Sequence, residues 1–470
     1  MLLPVGQVAR SEILDASREA TKASVMASAL KREIGLGGAV LMGLGSIVGT
    51  GVFLSTGLGA HIVGSGVLIA IALAAPVAIF NGLSSAQLAA VHPVSGGTYE
   101  YGYQFLNPML GHAAGWLFLF AKSASAATAA LGFAGYAGGF LFPWLQAEFP
   151  DSRFIAWFAS DPRILAYLIA VLCVAVVFLG IRRSNQANTI IVSTTLLTLT
   201  AFTCFVFFAS SDTTATVVDF ARLLPDFSGE GSLAALFTAT ALMFVAYTGY
   251  GRIATLGEEV REPRRVIPRA VILTLAVTMV LYIAVTAAAQ AVLGAKAFGD
   301  AAVQTGAPLQ AAAGKLRSGW LVVALNIGAL TAMLGVLLNL VLGVSRVVLA
   351  MGRRGDLPGA FARVEESGNP GAAVLLTGLI IVVLILPGSV ATAWSLSAFG
   401  VLVYYSITNL AALRIPDEQR LYPRLISILG LVSCLLLAFQ VDRFSLLTGL
   451  GVLVAGVLWH LAARWKRREG

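Results

Sequence analysis

The sequence predicts an all-α integral membrane protein with about 12 transmembrane helices. Of its 470 residues, 58% are hydrophobic and only 11% are charged, whereas soluble domains carry about 25% charged residues. The apolar residues are gathered into long segments separated by short polar breaks, and about 20 apolar residues cross a bilayer. A soluble globular fold is therefore excluded, and we expect the lipid bilayer to surround most of the chain.

The predicted spans follow the apolar runs along the chain, and polar or glycine- and proline-rich connections separate them. The ninth span is short, because the sequence LPGS forms a tight turn before the tenth. The approximate ranges are 37–60, 66–91, 106–141, 162–181, 186–210, 232–257, 267–293, 319–352, 372–387, 390–413, 422–440 and 444–464.

The basic residues predict how the spans are oriented. If the N-terminus lies in the cytoplasm, most of the 31 Lys and Arg residues fall in cytoplasmic connections, as the positive-inside rule requires. Residues 1–36 are then a cytoplasmic arm without the pattern of a cleavable signal, and residues 465–470 are a cytoplasmic tail. The formal charge of +8 follows from this topology, so we expect no nucleic-acid partner. We place the protein in a cytoplasmic (inner) membrane of the bacterial type, with both termini cytoplasmic.

Two of the spans are interrupted by small residues near their middle. The first span contains GLGSIVGTGVFL at positions 43–54, and the sixth contains MFVAYTGYGRIA at positions 243–254. Because these spans are five helices apart, they cross the membrane in opposite senses. Paired interruptions at matching places in two inverted halves are typical of the binding site of a secondary transporter.

The backbone of an interrupted membrane helix explains why a polar ligand should bind at the break. An interrupted helix frees N–H and C=O groups, which are costly in hydrocarbon unless protein, water or a ligand satisfies them. The N-terminal end of a half-helix suits a carboxylate, and a C-terminal end with free carbonyls suits an ammonium group or a sodium ion. A zwitterion would satisfy both. The alternative is close helix packing, because small residues four apart, such as Gly45 and Gly49, are common at helix contacts in membranes.

Four motifs resemble those of one transporter family. GLGSIVGTGVFLSTG resembles the first-helix signature of the amino acid–polyamine–organocation (APC) superfamily, and FVAYTGYGRIATLGEEVREPRRVIPRAV resembles its sixth helix and the following loop. PVSGGTYEYGY is similar to the entry of its third helix, and SRVVLAMGRRGDLP to the end of its eighth. The motifs occur in the family's order, and the resemblance covers about residues 31 to 440.

The resemblance implies a fold and an activity. The fold would be the LeuT-like five-plus-five inverted repeat, with residues 37–210 as the first repeat, residues 232–413 as the second, and two extra C-terminal helices in residues 422–464. The protein would be an amino acid permease, a symporter or antiporter that moves amino acids or related organic cations by alternating access. Its partners would be a small-molecule substrate and the lipid bilayer, while the oligomeric state stays open.

The family pattern also implies where the substrate binds. Its α-carboxylate would meet N–H and hydroxyl donors of the first break, and its α-amino group would meet carbonyls of the sixth span. The implied positions are Ser46, Ile47, Val48, Gly49, Thr50 and Gly51 in the first break, and Val245, Ala246, Tyr247, Thr248, Gly249 and Tyr250 in the second. Thr50 is the strongest single side chain, because its hydroxyl can donate where the backbone turns; the alternative is a β-branched filler that satisfies its own helix.

Lys122 and Arg252 are the basic residues that fall inside predicted spans. An unpaired lysine in mid-span costs at least about 2.5 kcal/mol, so we expect Lys122 to face the protein interior. Arg252 is expected to point toward the cytoplasmic vestibule and to pair with Glu258 or a first-helix carbonyl.

The coupling ion, H+ or Na+, stays open. Some relatives hold sodium with first- and eighth-helix groups, whereas others place a fifth-helix ammonium there, and the matching position in this chain is Thr195. Lys122 either supplies a comparable cation from the third helix or braces helix ends as a permanently charged residue.

Aromatic residues flank the sixth break and occur in the tenth span. Phe244, Tyr247, Tyr250, Tyr404 and Tyr405 form a candidate lid over the substrate, although buried rings also serve simply as packing. No acidic residue lies near either break. The sequence therefore favours a neutral or broadly selected L-amino acid, with a polyamine or another organic cation as the alternative.

Other classes of function receive little support. The four histidines are scattered, and the sequence has no enzyme motif such as H-E-x-x-H or a P-loop. The three cysteines lie within apolar runs without the spacing of a metal site. We therefore expect no catalytic residues, no metal and no cofactor beyond a coupling ion. A channel is the remaining rival, but channels need no paired inverted breaks.

Overall fold

The computed structural model describes residues 34–92, 96–180, 185–208, 218–224, 232–254, 260–365 and 369–469. Within these ranges the regular structure is helical, and the one contact of β type is an isolated parallel bridge between Ile34 and Val260. The all-α prediction is confirmed. Most of the predicted N-terminal arm lies outside the described residues.

The α-helices alternate with short connections along the chain. The first half contains α1 (Leu36–Ile47), α2 (Thr56–Val63), α3 (Val67–Val91), α4 (Thr98–Phe105), α5 (Pro108–Glu148), α6 (Arg153–Ser160), α7 (Pro162–Phe178) and α8 (Asn185–Phe208). The second half contains α9 (Ser232–Tyr247), α10 (Gly251–Ala254), α11 (Pro263–Leu293), α12 (Ala295–Gln304), α13 (Pro308–Lys315), α14 (Gly319–Arg354), α15 (Gly371–Ile385), α16 (Val390–Ala412), α17 (Arg424–Ala438) and α18 (Arg443–Glu469).

The predicted spans coincide with these helices. Each of the predicted apolar segments contains one, and among the described residues eight helical stretches are long and apolar enough to cross a membrane. A ninth is added if α6 and α7, which meet at an angle of 85°, form one broken crossing. Helices α1, α15 and α17 are apolar but shorter. The number of twelve crossings stays a prediction.

Short helices also lie in the connections between the predicted spans, namely α4, α6, α12 and α13. With eight to ten residues each, they are too short to cross a bilayer, and they lie outside the apolar runs that predict the spans. In α6 the Ser152 hydroxyl caps the first turn by accepting from the Ile155 N–H at 3.3 Å. This helix exposes Phe154 and Trp157, as aromatic residues do at the membrane interface.

Helix α5 lies at the centre of the bundle and contacts α7, α14, α15, α16 and α18. Its middle is built from Ala and Ser residues, which let neighbouring backbones approach closely. Where α16 crosses it, a Cβ on Gly400 would lie 2.7 Å from the Cβ of Ala121. Lys122, the residue that follows Ala121, is half-buried.

Candidate functional site

The first predicted break is a real interruption of the helix. Helix α1 ends at Ile47, and Val48 adopts an extended conformation with φ −79° and ψ 97°. Beyond Gly49 and Thr50 the chain resumes as a π-helical turn, Gly51–Ser55, which leads into α2. The first span is thus two half-helices.

The break in the sixth span is a short 3-10 turn, and the backbone there is less extended than at Val48 in the first span. Helix α9 ends at Tyr247, a 3-10 turn covers Thr248–Tyr250, and α10 continues from Gly251. The dihedral angles at Tyr247 and Gly251 stay in the right-handed helical region, so this break narrows the helix rather than extending the chain. Within it, the Thr248 hydroxyl donates to the Val245 carbonyl at 2.8 Å, which satisfies one of the freed backbone groups.

The two breaks contact each other through their backbones. A Cβ on Gly249 would lie 2.5 Å from the carbonyl carbon of Ser46, closer still to its oxygen, and 2.6 Å from Cγ1 of Ile47. Only glycine allows this approach, because real Cβ atoms do not occupy such distances. The glycine-containing runs of the first and sixth spans therefore pack closely against each other at the place where each helix changes its conformation.

Tyr282 of α11 joins the two breaks. Its hydroxyl lies 3.0 Å from the carbonyl oxygen of Ile47 and 3.1 Å from that of Ala246. Because a phenol has one O–H donor, Tyr282 can donate to only one of these carbonyls at a time. A Cβ on Gly51 would collide with this hydroxyl, so the glycine makes room for it.

Lys122 reaches the second break from α5. Its Nζ donates to the Thr248 hydroxyl at 3.1 Å and lies 6.0 Å from the centre of the Tyr404 ring. The ammonium group therefore faces the bundle interior and lies near the C-terminal end of α9, where a helix dipole favours positive charge.

Four of the five predicted lid aromatics form one cluster beside Lys122. Tyr405 packs against Phe244, Tyr250 and Tyr404, with ring centroids 5.8, 5.5 and 4.5 Å apart, and all four side chains are buried. Tyr247 points elsewhere, because its ring packs on Tyr282 and its hydroxyl donates to the Ile71 carbonyl at 3.2 Å.

The remaining predicted residues have different surroundings. Thr50 is buried and precedes the π-helical turn without capping it. The hydroxyl of Thr195, in α8, donates to its own helix at the Ile191 carbonyl, 2.8 Å away. Arg252 is exposed at the start of α10, and Glu258, its predicted partner, lies outside the described residues.

Two tyrosines that the sequence did not single out donate to carbonyls at or beside the breaks. Tyr282 is one of them, and the other is Tyr136 of α5, whose hydroxyl donates to the Phe53 carbonyl at 2.9 Å. The available signal was a buried hydroxyl-bearing ring within an apolar span, because such a group needs a hydrogen-bond partner. Attention to the glycine-rich spans alone overlooked the helices that complete them.

A bundle of long apolar helices with interrupted crossings defines an integral membrane protein of the transporter class. The chain belongs to the amino acid permease family, whose profile matches residues 38–462, and the resemblance to the APC superfamily is confirmed. An uncharacterized transporter of Mycobacterium bovis is 38% identical over 91% of this chain and 90% of its own. The branched-chain amino acid permease BcaP of Bacillus subtilis is 28% identical over 72% of this chain and 70% of its own. The methylthioribose transporter of the same organism is 26% identical over 77% and 76%.

Proposed function

We propose that the protein moves neutral L-amino acids across the cytoplasmic membrane by alternating access, with the substrate held as a zwitterion between the two breaks. One observation carries this proposal, namely that the interrupted first span and the 3-10 turn of the sixth span meet at Ser46 and Gly249. Membership of the amino acid permease family supports the same class of substrate. The implied fold is the LeuT-like inverted repeat of 37–210 and 232–413, followed by two helices.

The first break offers donors to the α-carboxylate. The chain resumes its helix at Gly51, and the N–H groups of a first helical turn have no intrahelical acceptor. The first backbone bond after the break runs from the Phe53 N–H to the Gly49 carbonyl at 3.1 Å. The preceding amides and the Thr50 hydroxyl are the groups assigned to the carboxylate, since a helix N-terminus favours negative charge.

The second break offers acceptors to the α-amino group. The single Tyr282 proton faces the carbonyls of both Ile47 and Ala246, so an ammonium group bound here would donate to the carbonyl that this proton does not engage. Thr248 accepts from Lys122, which adds positive charge close to this position. We place the substrate amine at the Ile47 and Ala246 carbonyls that Tyr282 contacts, rather than beside the Lys122 ammonium group.

The charges around the breaks favour a neutral side chain. Neither 36–63 nor 232–254 contains an Asp or Glu, and Lys122 supplies a cation. A polyamine or a cationic side chain would meet repulsion without a counter-charge. BcaP, a relative that is named for branched-chain amino acids, makes L-leucine the first substrate to test.

The coupling ion belongs to the same proposal. Thr195 bonds within its own helix, whereas Lys122 places its ammonium group at the second break. We assign the cationic role of the fifth-helix lysine of some relatives to Lys122, with H+ as the coupling ion.

Counterflow in proteoliposomes tests the transport function. Vesicles preloaded with unlabelled L-leucine should take up labelled L-leucine faster than empty vesicles, because a carrier exchanges its substrates across the membrane. Excess external polyamine should leave this uptake unchanged. Equal rates in loaded and empty vesicles would indicate a pore, and uptake that responds to polyamines but to no α-amino acid would overturn the substrate assignment.

A further inference from the structure

A buried cluster outside the two breaks brings together three side chains that bind metals. His112 lies in the first turns of α5, Asp356 follows the end of α14, and His460 belongs to α18. Their exposed fractions are 0%, 4% and 3%. These residues are far apart in the sequence, which explains why the histidines look scattered when only the sequence is read.

The distances within the cluster fit a small coordination sphere. Nδ1 of His112 lies 3.5 Å from Oδ2 of Asp356, and Nδ1 of His460 lies 3.6 Å from Oδ1. One ligand atom from each of the three residues lies within 4.8 Å of the others. Nitrogen and oxygen ligands bind zinc at about 2.0–2.2 Å, so neighbouring ligands of a tetrahedral ion are separated by about 3.4 Å. Each imidazole Nδ1 therefore lies near this distance from one carboxylate oxygen of Asp356, His112 from Oδ2 and His460 from Oδ1, and a single ion would need only small side-chain movements to draw one atom of each residue together.

The buried ring nitrogens of His112 indicate a ligand that is not part of the chain. Both of its ring nitrogens are buried; Nδ1 has only the 3.5 Å contact with Asp356, and Nε2 makes no hydrogen bond within the described part of the chain. A buried polar group without a partner is costly, and such groups in native proteins call for an explanation such as a bound ion. The imidazole rings of His112 and His460 lie with their centroids 4.7 Å apart, so both can turn a nitrogen toward one point.

The surroundings resemble the outer layer of a metal site. The hydroxyls of Tyr99 and Tyr103 donate to Oδ2 of Asp356 at 2.8 and 2.5 Å, and the indole N–H of Trp459 donates to its backbone carbonyl at 2.7 Å. Such contacts orient a carboxylate ligand. Two imidazoles and one carboxylate suit zinc and neighbouring first-row metals.

We propose that His112, Asp356 and His460 form a binding site for a divalent transition-metal ion of the zinc type, which fastens α18 to the ends of α5 and α14. The fourth position is left for water or for a tyrosine hydroxyl. The site departs from the sequence-based expectation of no metal, and it does not depend on the proposed transport function.

Trp116 and Trp459 can report directly on metal binding at His112, because they lie beside it. The ring of Trp116 stacks on His112 with centroids 5.8 Å apart, and it stacks on Trp459 at 6.4 Å. A paramagnetic ion such as Co2+ bound at His112 should therefore quench tryptophan fluorescence. A bound ion should also raise the unfolding temperature, because it binds the folded state selectively.

The test uses tag-free, chelator-treated full-length protein in detergent. Zinc at about one hundred times its Kd should raise the unfolding temperature by about 3 °C, and Co2+ should quench fluorescence with one ion per chain. Both responses should disappear in His112→Gln and in His460→Gln, which serves as the second variant if the first fails to fold. His92→Gln is the matched control, since His92 is only partly buried and packs on Phe105. No zinc response in the unaltered protein, or an equal response in all variants, would overturn the proposal.

Discussion

Gly249→Ala should reduce amino acid uptake by about 5- to 150-fold, because overpacking in a close contact costs about 1–3 kcal/mol. The new methyl group would lie 2.5 Å from the carbonyl carbon of Ser46 and 2.6 Å from Cγ1 of Ile47. Backbone atoms cannot swing aside as a flexible side chain can, so the two half-helices must separate. The initial rate of labelled L-leucine uptake into proteoliposomes measures the effect.

Gly343→Ala is the matched control for this variant. Gly343 lies inside α14, and a Cβ added there meets no atom within 4 Å. Its uptake should equal that of the unaltered protein. Size-exclusion elution and the reconstituted amount of both variants separate a lost site from a lost fold. Uptake by Gly249→Ala at the unaltered rate, with the protein intact, would contradict a direct contact between the two breaks.

Lys122→Met should lower uptake about tenfold and remove most of its dependence on pH. The substitution keeps an unbranched apolar stem but deletes the charged hydrogen bond to Thr248, 3.1 Å long, and such bonds contribute about 1.5–3 kcal/mol. If Lys122 is the titrating group, the pH dependence disappears with it. Uptake is measured at several pH values at a fixed leucine concentration.

Thr248→Val provides the comparison. It removes the hydroxyl that accepts from Lys122 and donates to the Val245 carbonyl, but it leaves the titratable ammonium group in place. This variant should therefore lose activity while keeping a pH-dependent uptake. If Lys122→Met and Lys122→Ala both transport with the unaltered rate and pH profile, Lys122 has no part in the mechanism.

Much of the architecture was predictable from the sequence, because each apolar segment must become a helix to satisfy its backbone in lipid. The interruption near Gly49 was also predictable, since glycine and β-branched residues at mid-span have no advantage in an ordinary helix. The short helices α4, α6, α12 and α13 were not, because no apolar run marks a helix of eight to ten residues.

The site was predictable only in part. The sequence identified Lys122 as an interior group because its charge lies deep in an apolar span. It did not identify Tyr282, whose hydroxyl lies between carbonyls 235 and 36 residues away along the chain. The contact between His112 and His460 was not predictable for the same reason, because these residues are far apart in the sequence and meet only when α18 packs on α5. Contacts between distant helices carry no local signal in a single sequence.

In the proposed site, the first-span interruption and the sixth-span 3-10 turn together recognise both charges of an amino acid. Binding of L-leucine, 4-methylpentanoate and 3-methylbutylamine to the purified protein tests it most directly, because the two analogues each lack one charged group. We expect L-leucine to bind and each analogue to bind about 10- to 100-fold more weakly, since each loses a charge-assisted set of hydrogen bonds. Binding of either analogue as tightly as L-leucine would contradict the account.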